Sequence, residues 1–172
     1  MAKKMNTIVV ETEHLNLEII TKNHIDNLYL LLSNPKVQEF FPKILNKQET
    51  EEFYEKIRER YKSDGFCFWA VTRKNDTAFI GICGLLKQVI DNKNEIEVGY
   101  RLLSKYWGND YGTEAANGCI EYAKNQLNLK SIIALIRPIN SPSEQVALNC
   151  GFQLEKETIF HSLPHHVYRI KF

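Results

Sequence analysis

At 172 residues the chain fits one domain, residues 1–172, long enough to bury roughly 70% of the surface its unfolded form exposes. A composition of 44% hydrophobic and 25% charged residues, with 8 Gly and 5 Pro, excludes a disordered or fibrous chain. With 22 basic against 21 acidic residues the net charge is +1, so no excess of one sign points to nucleic acid or a membrane as partner.

The N-terminal "MAKKMNTIVVETE" has an apolar run, Ile8-Val9-Val10, that stops at Glu11. That is too short for a signal peptide or a membrane span, and the chain is expected in the cytoplasm. "HLNLEII" alternates Leu15, Leu17 and Ile19 and predicts a strand. "NHIDNLYLLLSN" runs at helical spacing up to Asn34-Pro35. "NKQETEEFYEKIRERYKSDG" predicts a charged, exposed helix with a narrow apolar stripe, opened by an Asn46/Glu49 capping box and closed at Gly65. "FCFWAVTR" and "AFIGICGLLKQVI" form a hairpin about Asn75-Asp76, and "DNKN" turns into the strand "EIEVGYRLL".

A glycine-bearing loop then leads to the helix "TEAANGCIEYAKNQL", whose small face of Ala115, Cys119 and Ala123, continued by Leu127, suits close packing on a sheet. "SIIALIRP" is uninterruptedly apolar, as a strand buried on both faces should be. "SPSEQVALN" predicts a short helix with Ser141 as N-cap, Pro142 in the first helical position and Glu144 closing the box. Strands "FQLEKETIF" and "HHVYRIKF" finish the chain. The fold class is therefore mixed α/β (α+β), with a sheet of about seven strands.

The cysteines, Cys67, Cys83, Cys119 and Cys150, form no C-x-x-C pair, and three sit in apolar stretches. They are expected to be reduced, buried thiols without catalytic use. His161, His165 and His166 cluster near the C-terminus, but no carboxylate or thiolate with ligand spacing adjoins them, so no metal site is predicted.

The stretch "SKYWGNDYGTEAA" carries the clearest chemistry. A strand ending at Leu102-Leu103, a loop and a helix start present unpaired N–H groups and a positive dipole end, a setting that favours phosphate. In "EIEVGYRLL", Ile96, Val98, Tyr100 and Leu102 face one side, and Glu95, Glu97 and Arg101 the other. Two carboxylates on one face beside an apolar core can raise a pKa toward neutrality; a solvated hairpin face is the plainer alternative.

Glu97, Gly99 and Tyr100, then Tyr106, Trp107, Gly108, Tyr111, Thr113, Glu114 and Ala115, then Asn140, Ser143, Gly151 and Phe152 fit three motifs in order. They are E-x-G-Y, Y-W-G-x-G-Y-x-T-E-A, and N-x-x-S followed by G-F. The chain thereby resembles the GNAT N-acetyltransferase superfamily, and within it the ribosomal-protein N-terminal (alanine/serine) acetyltransferase-like branch, from about Thr12 to Tyr168. The resemblance implies a sheet with splayed central parallel strands, "EVGYRLL" and "SIIALIRP", with helices on both faces.

It also implies acetyl-CoA as cosubstrate and no metal. Pantetheine would bond backbone near Leu102 and the Asn140 amide, while Gly108, Asn109, Asp110, Tyr111, Gly112 and Thr113 would hold the pyrophosphate. A strand amide would stabilise the oxyanion. Glu97 would be the base, acting directly or through water. The acceptor would be a primary amine: a peptide N-terminus, an aminoglycoside or a polyamine. The enzyme would work as monomer or homodimer, and the final hairpin with its histidines would border the acceptor cleft.

Two departures stand out. Asp110 replaces the family's glycine. Asp tolerates the left-handed conformation, and its carboxylate is expected to point outward or cap the helix, since facing a diphosphate at ~4 Å would cost about 4 kcal/mol per charge pair. Ala147 replaces the tyrosine that serves many relatives as acid, which leaves Ser143 or water to protonate the thiolate. A non-catalytic acyl-CoA-binding or regulatory module on the same fold is the alternative reading. A nucleotide-binding domain fits poorly, because no glycine-rich loop follows an early strand.

Overall fold

The computed structural model describes residues 7–172, so the expected domain start and its two lysines, Lys3 and Lys4, lie outside the described residues. The strands are β1 (Ile8–Glu11), β2 (Leu15–Ile19), β3 (Phe68–Arg73), β4 (Phe79–Ile90), β5 (Lys93–Leu102), β6 (Ser131–Ile136), β7 (Gln153–Phe160) and β8 (Leu163–Lys171). The helices are α1 (Ile25–Leu32), α2 (Lys47–Asp64), α3 (Tyr111–Asn125) and α4 (Ser141–Asn149). Among the described residues, all 8 strands join one sheet in the order β1-β2-β3-β4-β5-β6-β8-β7. Neighbours are antiparallel except β5 and β6, which are parallel.

The sheet has one strand more than the periodicity predicts. Ile8-Val9-Val10 pairs with β2, with Val10 opposite Leu17; four residues are too few to show an alternation. Strand β5 lies inside the sheet between β4 and β6, so its charged face is no solvated hairpin edge.

Local signals set the helices. Asn46 Oδ1 accepts the Glu49 N–H at 2.8 Å, the Glu49 carboxylate accepts the Asn46 N–H at 3.1 Å, and Gly65 ends α2 at φ +83°. At α4 the expected cap moves by one residue. Asn140, not Ser141, is the N-cap, and its Oδ1 accepts the Ser143 N–H at 3.2 Å; the predicted Ser141/Glu144 box does not form. Asn caps at least as well as Ser, and Pro142 still lies in the first turn, where its missing N–H is harmless.

Helices α3 and α4 cover one face of the sheet, and α1 and α2 the other. Ala115, Cys119 and Ala123 are fully buried against Leu85, Val98 and Ile132. On the opposite face Leu28, Leu31, Tyr54 and Ile57 pack on Phe68, Ile82 and Leu86. Each such large side chain contributes ~1.5–3 kcal/mol when fully buried. Cys83 and Cys119 meet with sulfurs 3.5 Å apart, and burial pushes the Cys119 thiol well up, as expected of inert thiols. Among the described residues no helix is long and apolar enough to cross a membrane.

Candidate active site

The parallel strands β5 and β6 share one register pair, Glu97 opposite Ile133. Leu103 donates its N–H to the Ile80 carbonyl of the neighbouring segment at 2.9 Å. Main-chain direction alternates along an antiparallel ladder, so Tyr100 and Leu102 aim their N–H and C=O groups the other way, at the gap beside β6. The Leu102 carbonyl accepts the Trp107 indole N–H at 2.9 Å, which anchors the following loop and leaves the Trp107 ring half exposed.

A cavity of about 420 Å³ opens at this gap. Its floor is Val98–Arg101 and Ala134–Ile136; Glu97, Gln88, Asn140 and Ser143 line it. Walls come from the segment after α1 (Phe40, Phe41), from α2 (Phe53, Lys56, Arg60) and from the β7–β8 turn (Phe160, His161, His165). Gly99 sits between Glu97 and Arg101 on their face of the strand, and a Cβ there would come within 3.1 Å of both Leu86 and Phe68.

Glu97 keeps some contact with the cavity while protein surrounds it. Burial pushes its pKa from 4.5 up to about 7, against the Gln88 amide, which donates to it at 2.9 Å, and the Arg101 and Arg60 charges, which pull it down. Glu95, on the same face, is held in a two-point pair with Arg169 at 2.7 and 3.0 Å. Arg169 also bonds Ser131 and Glu155, both at 2.8 Å. The two carboxylates thus have different partners and different surroundings.

Asn140 and Ser143 meet Glu97 at this cavity. Ser143 accepts at its carbonyl from the Tyr100 hydroxyl at 2.7 Å, and burial pushes the Tyr100 pKa up. Ala147 is fully buried. Gly108 to Thr113 lie apart from the cavity lining, at the N-terminus of α3, where the amides of Tyr111, Gly112 and Thr113 have no intrahelical carbonyl to bond. A Cβ on Gly112 would stand 3.5 Å from Val146 and 3.7 Å from Leu102, so the cradle adjoins the splay. Asp110 is the N-cap at φ +60°, exposed, and makes no side-chain bond to the helix. The expected side-chain cap of the helix is therefore not formed.

Glu114 has a structural use that the motif did not reveal. It accepts from the Thr12 hydroxyl at 2.5 Å and the His14 main chain at 3.0 Å, and meets the His14 ring at 2.7 Å, tying α3 to the β1–β2 turn. His161 and His165 border the cavity, whereas His166 turns to Glu157 at 3.2 Å. Sequence reasoning missed Lys56, Arg60 and Arg137 as cavity residues. The signal for the first two was present: they flank Phe53 and Ile57 at i,i+3 and i,i+4 spacing on the apolar stripe of α2.

Splayed parallel strands, an amide cradle at a helix start and a carboxyl group poised near neutrality define an acyl-transfer scaffold. The model of the acetyltransferase (GNAT) domain family matches residues 14–153, and the chain belongs to that family. It is an N-acetyltransferase. Among its relatives are two Bacillus subtilis proteins, the uncharacterized protein YkkB and the uncharacterized N-acetyltransferase YoaA. YkkB is 32% identical over 127 residues, covering 74% of each chain. YoaA is 24% identical over 150 residues, covering 86% of this chain and 84% of its own. A ribosomal-protein-S5-alanine acetyltransferase from Vibrio fischeri shares the fold, with a TM-score of 0.76 at 21% identity over 94% of each chain.

Proposed function

We propose that residues 1–172 form one enzyme domain that moves the acetyl group of acetyl-CoA to a primary amine, with Glu97 as general base. The observation that carries this is a Glu97 carboxyl with a pKa of about 7 at the point where β5 and β6 part. A base so poised removes a proton from an ammonium near neutral pH without leaving solution equilibrium far behind. Glu97 takes that proton as the nitrogen attacks the thioester carbon. The Tyr100 and Leu102 amides facing the gap are suited to stabilise the oxyanion. The carbon–sulfur bond then breaks, the thiolate takes a proton from the Ser143 hydroxyl or from cavity water, and the second proton of the former ammonium nitrogen replaces it there, leaving the neutral amide and the CoA thiol.

The cosubstrate fits the residues present. Leu102 and Asn140 would hold the pantetheine arm, and the amides of Gly108, Asn109, Asp110, Tyr111, Gly112 and Thr113 the pyrophosphate. The contact of two unbridged thiols, Cys83 and Cys119, suits a reducing compartment and supports a cytoplasmic setting. A screen of primary amines, read by release of the CoA thiol, tests the proposal. Release that requires both acetyl-CoA and amine is expected. No release, together with a flat calorimetric titration at millimolar acetyl-CoA, contradicts it.

A further inference from the structure

We infer that the acceptor is a small amine that also carries an anionic group, a carboxylate or a phosphate, bound by the cations of the Glu97 cavity. This rests on the transfer reading above and narrows its acceptor.

Four cations, Lys56, Arg60, Arg101 and Arg137, line the cavity with a single carboxylate, Glu97. Among the described residues none of the four joins an ion pair; the paired arginines and lysines, such as Arg169 with Glu95 and Lys156 with Asp91, lie elsewhere. Neutral groups hold the two arginines in place. The Arg101 guanidinium stands 3.6 Å from the Phe41 ring centre and donates to Gln38 at 3.2 Å. Arg137 donates to the Phe40 carbonyl at 3.4 Å, and its Nε is buried without a hydrogen-bond partner. Burial lowers the Arg101 pKa to about 10, which still leaves it charged at neutral pH.

Arg101 and Arg137, partly buried and fixed this way, are expensive charges until an anion completes them, and Lys56 and Arg60 add exposed positive charge at the rim. A guanidinium offers the planar fork that carboxylates and phosphates fit. Walls of one sign also draw in the opposite charge.

The phosphates of the cosubstrate do not account for these cations. The cradle at Gly108–Thr113 belongs to the α3 side of the sheet, whereas Arg101 and Arg137 bond Gln38 and Phe40 on the α1–α2 side. The polyamine and aminoglycoside acceptors that the family resemblance implies would bring additional ammonium groups among unpaired cations. A volume of about 420 Å³ suits a small molecule.

The test uses the CoA-saturated protein and calorimetric titration with β-alanine, O-phosphoethanolamine, propylamine and spermidine. At least one of the two anionic amines is expected to bind about tenfold more tightly than propylamine, and the comparison between them tells carboxylate from phosphate. The advantage should shrink in high salt and in Lys56→Gln/Arg60→Gln, two changes on the surface helix α2, as well as in Arg137→Gln. Equal affinities, tighter spermidine binding, or no heat from any of the four overturns the inference.

Thiol release from the same amines separates the two failures. Equal kcat/KM for propylamine and the anionic amines sinks the anionic acceptor and leaves acetyl transfer standing. An anionic preference in binding with no thiol release upholds the site and sinks the transfer reading.

Discussion

Glu97 stands opposite Ile133 at the one register pair that joins β5 to β6, so the poised carboxyl group and the parting of the strands occur at the same residue. The divergence removes strand partners from the main chain of Tyr100 and Leu102. It also admits a cavity beside the Glu97 carboxylate, where burial raises its pKa. One irregularity in the sheet thereby creates both the gap proposed for the thioester and the raised-pKa carboxyl group beside it.

Variants of Asn140 can separate its capping bond from its proposed contact with the cosubstrate. Asn140→Ala is expected to lower stability by ~1 kcal/mol, through loss of the bond to the Ser143 N–H, and to weaken acetyl-CoA binding. Asn140→Asp keeps the capping oxygen and loses the amide donor, so it should hold the melting temperature while still weakening acetyl-CoA. Denaturant unfolding and calorimetry on both variants check this; normal acetyl-CoA affinity in both removes Asn140 from the site.

Asp110 is an exposed charge in a left-handed turn. Asp110→Gly should leave stability unchanged or slightly higher, because Gly accepts positive φ and no cap bond is lost. CoA binding should tighten by up to about fivefold at low salt and converge with wild type at high salt. Weaker binding in the variant means the carboxylate supports the loop.

Glu95→Gln should keep turnover and its pH dependence, since the side chain is engaged with Arg169. It should lower stability by ~1–3 kcal/mol by leaving part of the Arg169 charge unmatched in a largely buried pair. Denaturant midpoints with steady-state rates read the two effects separately.

Glu97 also predicts a pH dependence of stability. Its carboxyl pKa lies above the ordinary 4.5, at about 7, so the folded state holds a proton that the unfolded state releases between those values. This contribution is full below 4.5 and is lost as the pH rises through about 7. Relative to Glu97→Gln, wild type should lose ~1–3 kcal/mol over that window, allowing for water in the cavity. Parallel melting curves across the window would show a carboxyl with an ordinary pKa.

Much of this was legible in the chain. The α2 box of Asn46 and Glu49, the small face of α3 and the shared face of Glu95, Glu97 and Arg101 follow from local spacing, which a helix or strand converts directly into geometry. What escaped depends on distance along the chain. Arg169 lies 74 residues from Glu95, and no local pattern announces their pairing, which distinguishes the surroundings of Glu95 from those of Glu97. Lys56 and Arg60 are exposed charges beside the apolar stripe of α2, and the cavity they border exists only once α2 packs on the sheet. The first strand was too short to show its period, and two adjacent capping residues, Asn140 and Ser141, competed for one position.

The most direct measurement is the pH profile of kcat/KM for wild type, Glu97→Gln and Glu95→Gln. In wild type and Glu95→Gln the rate should rise with pH through about 7, as the carboxyl loses its proton. In Glu97→Gln turnover should fall by ~10²–10⁴-fold, with little change in the KM for acetyl-CoA and no rising limb at that pH. A Glu97→Gln enzyme with near-normal rates and the same limb would contradict the account, because deprotonation would then occur outside the Glu97 cavity.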